Sequence, residues 1–536
     1  MGRKIVRCSA PVASSILFIL IGFAFIPQAG IQNDEALFAS GIYEQAGIAL
    51  SVKILGHRIP VMLNSYLGAF KSWVYAPIFR FWRPSPFSLR VPVVLAGAMT
   101  ICLFWSLLRR IAGGRAAAAG CVLLASDTLF LITSCFDWGP VVLQHLLLVS
   151  GLLCLVQFHR ERHRRLLAMG FFLFGLALWD KSLFAWILSG MATAAVVVFP
   201  KELWKSLNPR NLVLATLAFC VGAAPLIFYN IRFPLETLRA NAAYTADDVA
   251  GKSHLLLSTF NGSGLFGYIP RDSTPGTPHP PRAAIERMSI RISDLTGGRR
   301  TGFLGYAGLA ALSLFPLLWS TPARKPMAFS LIATVLAWIQ MLYTKGAGGS
   351  VHHVILLWPF PALFIAVAFT EASRRAGRAG TLLLGGAIFF LAATSALVTN
   401  EYFALLVRNG GGVEWTDAIY PLSDCLRRVK ATAIYLDDWG MFDVLRMLNR
   451  GKLPLRVGSD PLTKPQLDAE DKGVVLARIS DPDAVLVGHS DSAELFTGVN
   501  AKLRAIAAEA GYRREMLADI SDRNGRVMFE VFRFRR

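Results

Sequence analysis

Long apolar segments separated by short polar stretches run through residues 1–399 of the chain. A helix needs about 20 apolar residues to cross a hydrocarbon core of roughly 30 Å. By this criterion the pattern predicts about eleven membrane spans, near residues 12–30, 91–109, 116–134, 140–158, 166–179, 183–199, 211–230, 303–320, 326–343, 352–370 and 380–399. We therefore expect a polytopic α-helical membrane domain over residues 1–399.

Two long loops interrupt this domain, at about residues 31–90 and 231–302. The second is rich in Gly and Pro around residues 274–281, and structureless loops of such length are usually functional or disordered. From about residue 400 the composition changes to that of a soluble protein. We expect residues 400–536 to form a small α/β domain outside the membrane.

Short apolar runs bounded by turn residues carry the prediction for this C-terminal domain. Residues 433–436 and 484–487 have the pattern of buried strands. Residues 503–510 have the pattern of a helix that ends near Gly511, and a further strand is expected near residues 527–532.

The charge distribution gives the orientation of the predicted spans. Of the 536 residues 17% are charged, against about 25% in a typical soluble domain, and the mean hydropathy is +0.47. Every second loop is basic, which the positive-inside rule requires of a chain with its N-terminus inside and its C-terminus outside. The basic residues concerned are Arg3, Lys4, Arg7, Arg109, Arg110, Arg115, Arg160, Arg162, Arg164, Arg165, Lys201, Lys205, Arg210, Arg324, Lys325, Arg374, Arg375 and Arg378. The net charge of +20 is thus mainly an orientation signal, and we expect no nucleic-acid partner.

The first apolar segment has the basic start and apolar centre of a signal peptide. Its length and the ten spans predicted after it favour a retained anchor.

Two adjacent carboxylates, Asp34 and Glu35, follow this first span on the side opposite to the basic loops. Charged residues at a membrane edge are costly and are commonly functional. Asn33 is a good N-cap residue, so the acids would lie in the first turn of a helix, where the dipole stabilises ionised carboxylates. A merely structural helix start is the simpler interpretation, but an ionised carboxylate there could equally act as a general base.

Further ionisable residues are predicted on the same outer face. Lys71 either snorkels among aromatic residues or holds a lipid phosphate. Asp137 follows the third span, where it could simply cap the next helix. Lys181 stands in a short outer turn, where it could pair with the neighbouring Asp180. His352 and His353 could meet a phosphate or a metal, although adjacent histidines do not share a helix face, which argues against a two-ligand metal site. Together these residues suit an enzyme acting on a phosphate-linked lipid.

Three features together resemble the GT-C membrane glycosyltransferases, in the branch of protein O-mannosyltransferases and lipid A aminoarabinose transferases. They are the Asp34-Glu35 pair, the aromatic loop that leads into Arg90-Val91-Pro92, and Asp137. The resemblance is strongest over residues 31–182 and weakest in the tail.

The resemblance implies an inverting transfer of a sugar from a polyprenyl-phosphate donor to an acceptor hydroxyl at the outer face. The acids that it places at the reaction centre are Asp34, Glu35 and Asp137. Four side chains are expected at the donor phosphate. The resemblance places Lys71 there, and the topology places Lys181, His352 and His353 there. No cofactor is firmly implied, and a divalent metal stays open.

Other functions stay open at this point. A transporter or flippase of lipid-linked glycans would carry ionisable residues deep within spans and inverted repeats, whereas the spans here are nearly free of charge. A sensor or assembly protein would use the acids only as helix caps. A ligase that moves whole glycans from a lipid diphosphate has related chemistry. The sequence leaves open the sugar and whether the acceptor is a lipid, a glycan or a protein; its composition and orientation suit a bacterial inner membrane with a periplasmic site.

Overall fold

The computed structural model describes residues 2–43, 47–206, 208–273 and 277–536, with the backbone alone for residues 2–8. The side chains of Arg3, Lys4 and Arg7 therefore lie outside the described part, as do residues 274–276 of the Gly- and Pro-rich loop.

The described residues up to 409 are mainly helical and include a β-hairpin, in which β1 (Leu50–Ile54) pairs antiparallel with β2 (His57–Met62). The helices are α1 (Gly2–Phe25), α2 (Asn33–Ser40), α3 (Phe70–Phe81), α4 (Pro86–Ile111), α5 (Gly114–Ser126), α6 (Thr128–Cys135), α7 (Val141–Glu161), α8 (Arg164–Asp180), α9 (Phe184–Val198), α10 (Pro200–Ser206), α11 (Pro209–Gly222), α12 (Ala224–Arg232), α13 (Glu236–Asn241), α14 (Val249–Phe260), α15 (Ala284–Thr296), α16 (Leu304–Leu314), α17 (Arg324–Leu342), α18 (Val351–Val354), α19 (Phe360–Arg375) and α20 (Gly377–Asn409). Short 3-10 turns follow α16 and α18, at Pro316–Leu318 and Ile355–Leu357.

Each predicted span coincides with a helix or with two consecutive helices. Within the described residues, α4, α7, α17 and α20 are each long and apolar enough to cross a membrane alone. Four pairs bent by more than 40°, α5–α6, α9–α10, α11–α12 and α18–α19, would raise the number to eight if each is one broken span. The apolar parts of α1 and α16 are shorter. The protein is thus mostly helical with apolar candidate spans, and the number eleven stays a prediction.

Small residues allow some of these helices to approach closely. A Cβ atom built on Gly222 of α11 would lie 2.2 Å from the carbonyl oxygen of Phe172 in α8. A side chain at this position would push the two helices apart, and glycine at such contacts is typical of helix pairs in membranes.

The rest of the chain forms a mixed α/β unit. It contains the helices α21 (Ile419–Leu426), α22 (Phe442–Leu448), α23 (Ala469–Ser480) and α24 (Val499–Glu509) and the strands β3 (Ala433–Leu436), β4 (Leu455–Val457), β5 (Ala484–His489), β6 (Arg513–Ser521) and β7 (Val527–Arg535). The sheet order is β4-β3-β5-β7-β6, with β3 parallel to β4 and β5, and β7 antiparallel to its two neighbours. The predicted strands and the predicted helix all fall on β3, β5, β7 and α24. Helix α20 extends past the predicted boundary at residue 400 to Asn409.

The α/β unit packs directly on the segment between α1 and α4, which contains α2 and α3. One buried apolar cluster joins Ala36 and Ala39 of α2 and Tyr75 of α3 to Val444 and Leu445 of α22. The helix that carries Asp34 is therefore held between the membrane part and the C-terminal unit.

Candidate active site

A cleft beside α2 consists of two cavities that share three lining residues, Asp34, Trp138 and His352. The larger cavity has a volume of about 310 Å³ and the smaller one about 100 Å³. Lys181 lines the smaller cavity and Glu414 the larger one. Asp34 thus stands at the junction, with a cation in one arm and a second carboxylate in the other.

The cap of α2 differs from the prediction. Gln32, and not Asn33, caps the helix, because its Oε1 accepts hydrogen bonds from the backbone N–H of Asp34 (2.6 Å) and Glu35 (3.1 Å). Asn33 instead exchanges two hydrogen bonds with Asp443 of α22: its Nδ2 donates to Oδ2 (3.2 Å) and its Oδ1 accepts from the backbone N–H (3.0 Å). A tertiary contact has taken the side chain that local sequence assigns to the cap.

The two adjacent acids of α2 have different surroundings. Asp34 is partly exposed to the cleft, whereas Glu35 is buried and receives two hydrogen bonds of 2.8 Å from Arg90. Arg90 also donates to the backbone oxygens of Ile26, Ala29 and Gly30. The Glu35–Arg90 pair therefore ties the end of α1 and the start of α2 to α4, and Glu35 does not line either cavity.

Lys71 and Asp137, both expected at the site, neutralise one another behind the cleft. Lys71 Nζ lies 2.8 Å from Asp137 Oδ2, and both side chains are 1% exposed. Lys71 also donates to the backbone oxygen of Asp137, and Asp137 Oδ1 accepts from the N–H of Val141 at the start of α7. The pair fixes the segment that carries Trp138 and Gly139.

Lys181 is the buried cation that faces Asp34 across the smaller cavity. Among the described residues Lys181 Nζ has one hydrogen bond, a long one of 3.4 Å to the backbone oxygen of Gly139, and no ion pair. Its turn is held by backbone hydrogen bonds from Gly68 N to Asp180 O and from Ser182 N to Tyr66 O. Gly68 is required there, since a Cβ atom would lie 2.1 Å from the carbonyl oxygen of Trp179.

Of the two adjacent histidines, as of the two adjacent acids, one lines the cleft and the other does not. His352 lines both cavities, with its ring edge-on to Trp138 and its Nδ1 2.7 Å from Ser350 Oγ. His353 packs against His352 at 4.2 Å between ring centroids and lines neither cavity. Within the part of the chain that the structure describes, no group of three or more His, Cys, Asp or Glu side chains is placed to hold a metal ion.

Burial shifts the charge equilibria of the cleft. It raises the pKa of Asp34 to about 6, and the negative charges of Asp443 and Glu414 act in the same direction. This direction is opposite to the one that a helix dipole favours, and its main cause is that removal from water disfavours the charged form of a carboxyl group. Burial likewise lowers the pKa of Lys181 to about 7, against the opposing effect of Asp137, Asp180 and Asp34.

Comparisons with known proteins show which family and which fold the chain resembles. Residues 68–229 match the family described as dolichyl-phosphate-mannose-protein mannosyltransferase. The fold matches ArnT from Cupriavidus metallidurans, in a structure bound to undecaprenyl phosphate, with a TM-score of 0.56, 13% identity and 97% of both chains covered. The chain resembles the GT-C glycosyltransferases. The expected likeness to their ArnT and protein mannosyltransferase branch is thereby confirmed.

Further matches extend the GT-C likeness. The apo form of the same ArnT gives a TM-score of 0.56 at 14% identity, again over 97% of both chains. The apo oligosaccharyltransferase of Archaeoglobus fulgidus gives 0.54 at 12% identity, over 91% of this chain and 70% of that one. No curated protein matches the chain significantly by sequence. The matched family segment contains Lys71, Arg90, Asp137 and Lys181 but begins after Asp34.

Within this GT-C fold, residues that sequence reasoning missed complete the larger cavity. Tyr268 Oη and Gln32 Nε2 donate to Glu414 Oε2, at 2.9 Å and 3.2 Å. Trp138 and Trp439 supply aromatic walls. The run Gly410-Gly411-Gly412 just before Glu414, where the last apolar segment ends, is the one sequence signal that could have directed attention to this acid.

Proposed function

We propose that the protein is an inverting glycosyltransferase that moves a sugar from a polyprenyl-phosphate donor to an acceptor hydroxyl. The observation that carries this proposal is the pairing in one cleft of an accessible carboxylate, Asp34, with a buried lysine, Lys181, that has no carboxylate partner among the described residues. The undecaprenyl phosphate bound by the structurally similar ArnT supports the donor class.

Asp34 is the proposed general base. A carboxyl group with a pKa of about 6 is largely ionised at neutral pH and can accept the acceptor hydroxyl proton as the new bond forms. The acceptor oxygen attacks the anomeric carbon while the bond to the phosphate oxygen breaks on the opposite side, which inverts the configuration.

Lys181 is the proposed partner of the leaving phosphate. Negative charge grows on the phosphate oxygens as the glycosidic bond breaks, and a buried ammonium placed there stabilises that charge. His352, at the same cavity, can add a hydrogen bond from its Nε2. Glu35, Lys71 and Asp137 are proposed as positioning residues, since their charges are already paired with protein groups.

The topology belongs to the same proposal. We infer eleven spans with the N-terminus inside and the C-terminus outside, which puts the cleft and residues 400–536 on the periplasmic side of a bacterial inner membrane. Basic loops on the opposite side support this orientation. The donor lipid would then lie in the membrane with its sugar near Asp34, so that binding already restricts the geometry of the reaction.

The test measures transfer of radiolabelled sugar from a panel of polyprenyl-phosphate sugars in membranes that contain the protein. We expect Asp34→Asn to lower transfer by about 100-fold or more, because it keeps the shape of the side chain and removes the base. Asp294→Asn is the matched control, as the Asp294 side chain is 61% exposed on α15 and lines neither cavity. If no donor supports transfer by the wild type, the proposed function is wrong; full activity of Asp34→Asn would remove the base from the mechanism.

A further inference from the structure

The larger cavity has a wall chemistry of its own. Three aromatic side chains, those of Trp138, Tyr268 and Trp439, share it with two groups that bind hydroxyls, Gln32 and Glu414. Both hydrogen bonds described for Glu414 end on Oε2, so its Oε1 can accept from a ligand. The volume of the larger cavity, about 310 Å³, is at the small end of the range for ligand pockets.

Trp439 reaches this cavity from the C-terminal unit, in the connection between β3 and α22. The preceding residue, Asp438, fixes its backbone: Asp438 Oδ1 accepts from the N–H of Trp439 (2.7 Å) and Phe496 (2.9 Å). Oδ2 accepts from the N–H of Leu495 (2.8 Å) and lies 2.9 Å from His489 Nδ1. The buried carboxylate of Asp438, with its four partners, thus fixes the backbone from which the Trp439 side chain extends.

The other end of the same connection is attached to the helix of Asp34. Asp443, at the start of α22, exchanges two hydrogen bonds with Asn33 and accepts a third from Ser40 Oγ at 3.1 Å. Trp439 is therefore positioned between two anchored points, and its distance from Asp34 is set by the structure rather than by a mobile loop.

We propose that the larger cavity binds a sugar ring of the acceptor, with Trp439 as its stacking platform and Glu414 as the acceptor of a ring hydroxyl. A pyranose presents an apolar C–H face to an aromatic ring and hydroxyl donors at its edge, and this cavity offers both kinds of partner. The acceptor hydroxyl then points to Asp34, where the larger cavity meets the smaller cavity that contains Lys181 and is the proposed donor site. This inference rests on the proposed function and names the acceptor class, a saccharide or glycolipid.

The test compares acceptors of different class at a fixed, saturating donor concentration. Wild-type protein is given a glycolipid, a free oligosaccharide and a peptide rich in Ser and Thr. We expect transfer to the saccharides and not to the peptide, and a KM for the saccharide acceptor that rises about tenfold in Trp439→Ala. Trp439→Phe should recover most of this loss, and Glu414→Gln should raise the same KM. In each variant the KM for the donor should stay within about twofold of wild type.

Trp204→Ala is the matched control, because Trp204 is 82% exposed on α10 and should leave both constants unchanged. Binding of undecaprenyl phosphate reports whether each variant is folded, and if Trp439→Ala is not, the phenylalanine and Glu414→Gln variants decide. Transfer to the peptide alone, or an unchanged acceptor KM in folded variants, would overturn the inference and leave the proposed function standing. Absence of transfer from every donor to every acceptor would instead refute the proposed function.

Discussion

The buried pair between Arg90 and Glu35 allows a prediction with a calculable size. Arg90 makes five hydrogen bonds with all its guanidinium nitrogens: two go to Glu35 and three to backbone oxygens at residues 26, 29 and 30. The two side chains are 0% and 1% exposed, so water cannot replace the lost partner when one of them is removed.

Arg90→Met should therefore lower the free energy of unfolding by about 3–5 kcal/mol, the usual cost of leaving one member of a buried ion pair alone. The freed backbone oxygens add to this cost where they find no water. Arg90→Lys keeps the charge but supplies three donors in place of five, so we expect a smaller loss of about 2–3 kcal/mol. Arg90→Met combined with Glu35→Gln should be less destabilised than the two single losses added together, since no charge is left unpaired.

The assay is an unfolding titration with SDS in dodecylmaltoside micelles, followed by far-UV circular dichroism. Arg300→Met is the matched control, because the Arg300–Asp272 pair is about half exposed and should contribute less than about 1 kcal/mol. If Arg90→Met and Arg300→Met lower the free energy of unfolding by the same amount, the Glu35–Arg90 pair does not stabilise the position of α2. Strictly additive losses in the double variant would refute the ion-pair coupling.

Three predictions concern the smaller cavity, which is the proposed donor site. A plot of kcat/KM against pH should be bell-shaped. The ionised form of Asp34 is lost as the pH falls through about 6, and the protonated form of Lys181 is lost as the pH rises through about 7. A pH–rate profile checks this, and a flat profile would contradict it. Lys181→Met should weaken binding of polyprenyl phosphate about tenfold or more, while Lys472→Met, at a 46% exposed lysine, should not, as measured by equilibrium binding. Gly68→Ala should displace the turn that holds Lys181, since its Cβ would lie 2.1 Å from the Trp179 oxygen; transfer should fall together with the thermal midpoint, and wild-type behaviour in both would show that the contact can relax.

Periodicity along the chain was sufficient for the predicted spans and for β3, β5, β7 and α24, but not for the hairpin β1–β2 or for β4 and β6. Each predicted span falls on one helix or on two consecutive helices, and β3 begins and ends at the residues that the pattern indicated. These features depend on local hydrophobicity, which a window of sequence contains. The strand β6 was not predicted, because its alternation is irregular and its edge position leaves several residues exposed.

Local pattern could not distinguish residues of equal chemistry. Asp34 and Glu35 are neighbours with the same charge, but they are turned about 100° apart on the helix, so one faces the cleft and the other faces Arg90. Lys71 and Lys181 are likewise equivalent in sequence, and only the position of Asp137 next to Lys71 leaves Lys181 without a carboxylate partner among the described residues.

The sequence by itself determined the helical membrane character, the orientation signal, the α/β tail and the resemblance that made Asp34 the first candidate. Only the tertiary structure decided which charges are paired and which face the cleft, because the partners of Glu35 and Lys71 lie 55 and 66 residues away. It also brought Glu414 and Trp439 to Asp34 from the far end of the chain. Hydrophobic patterning is encoded locally, whereas the environment of a charge is a property of the folded packing, which no window of sequence contains.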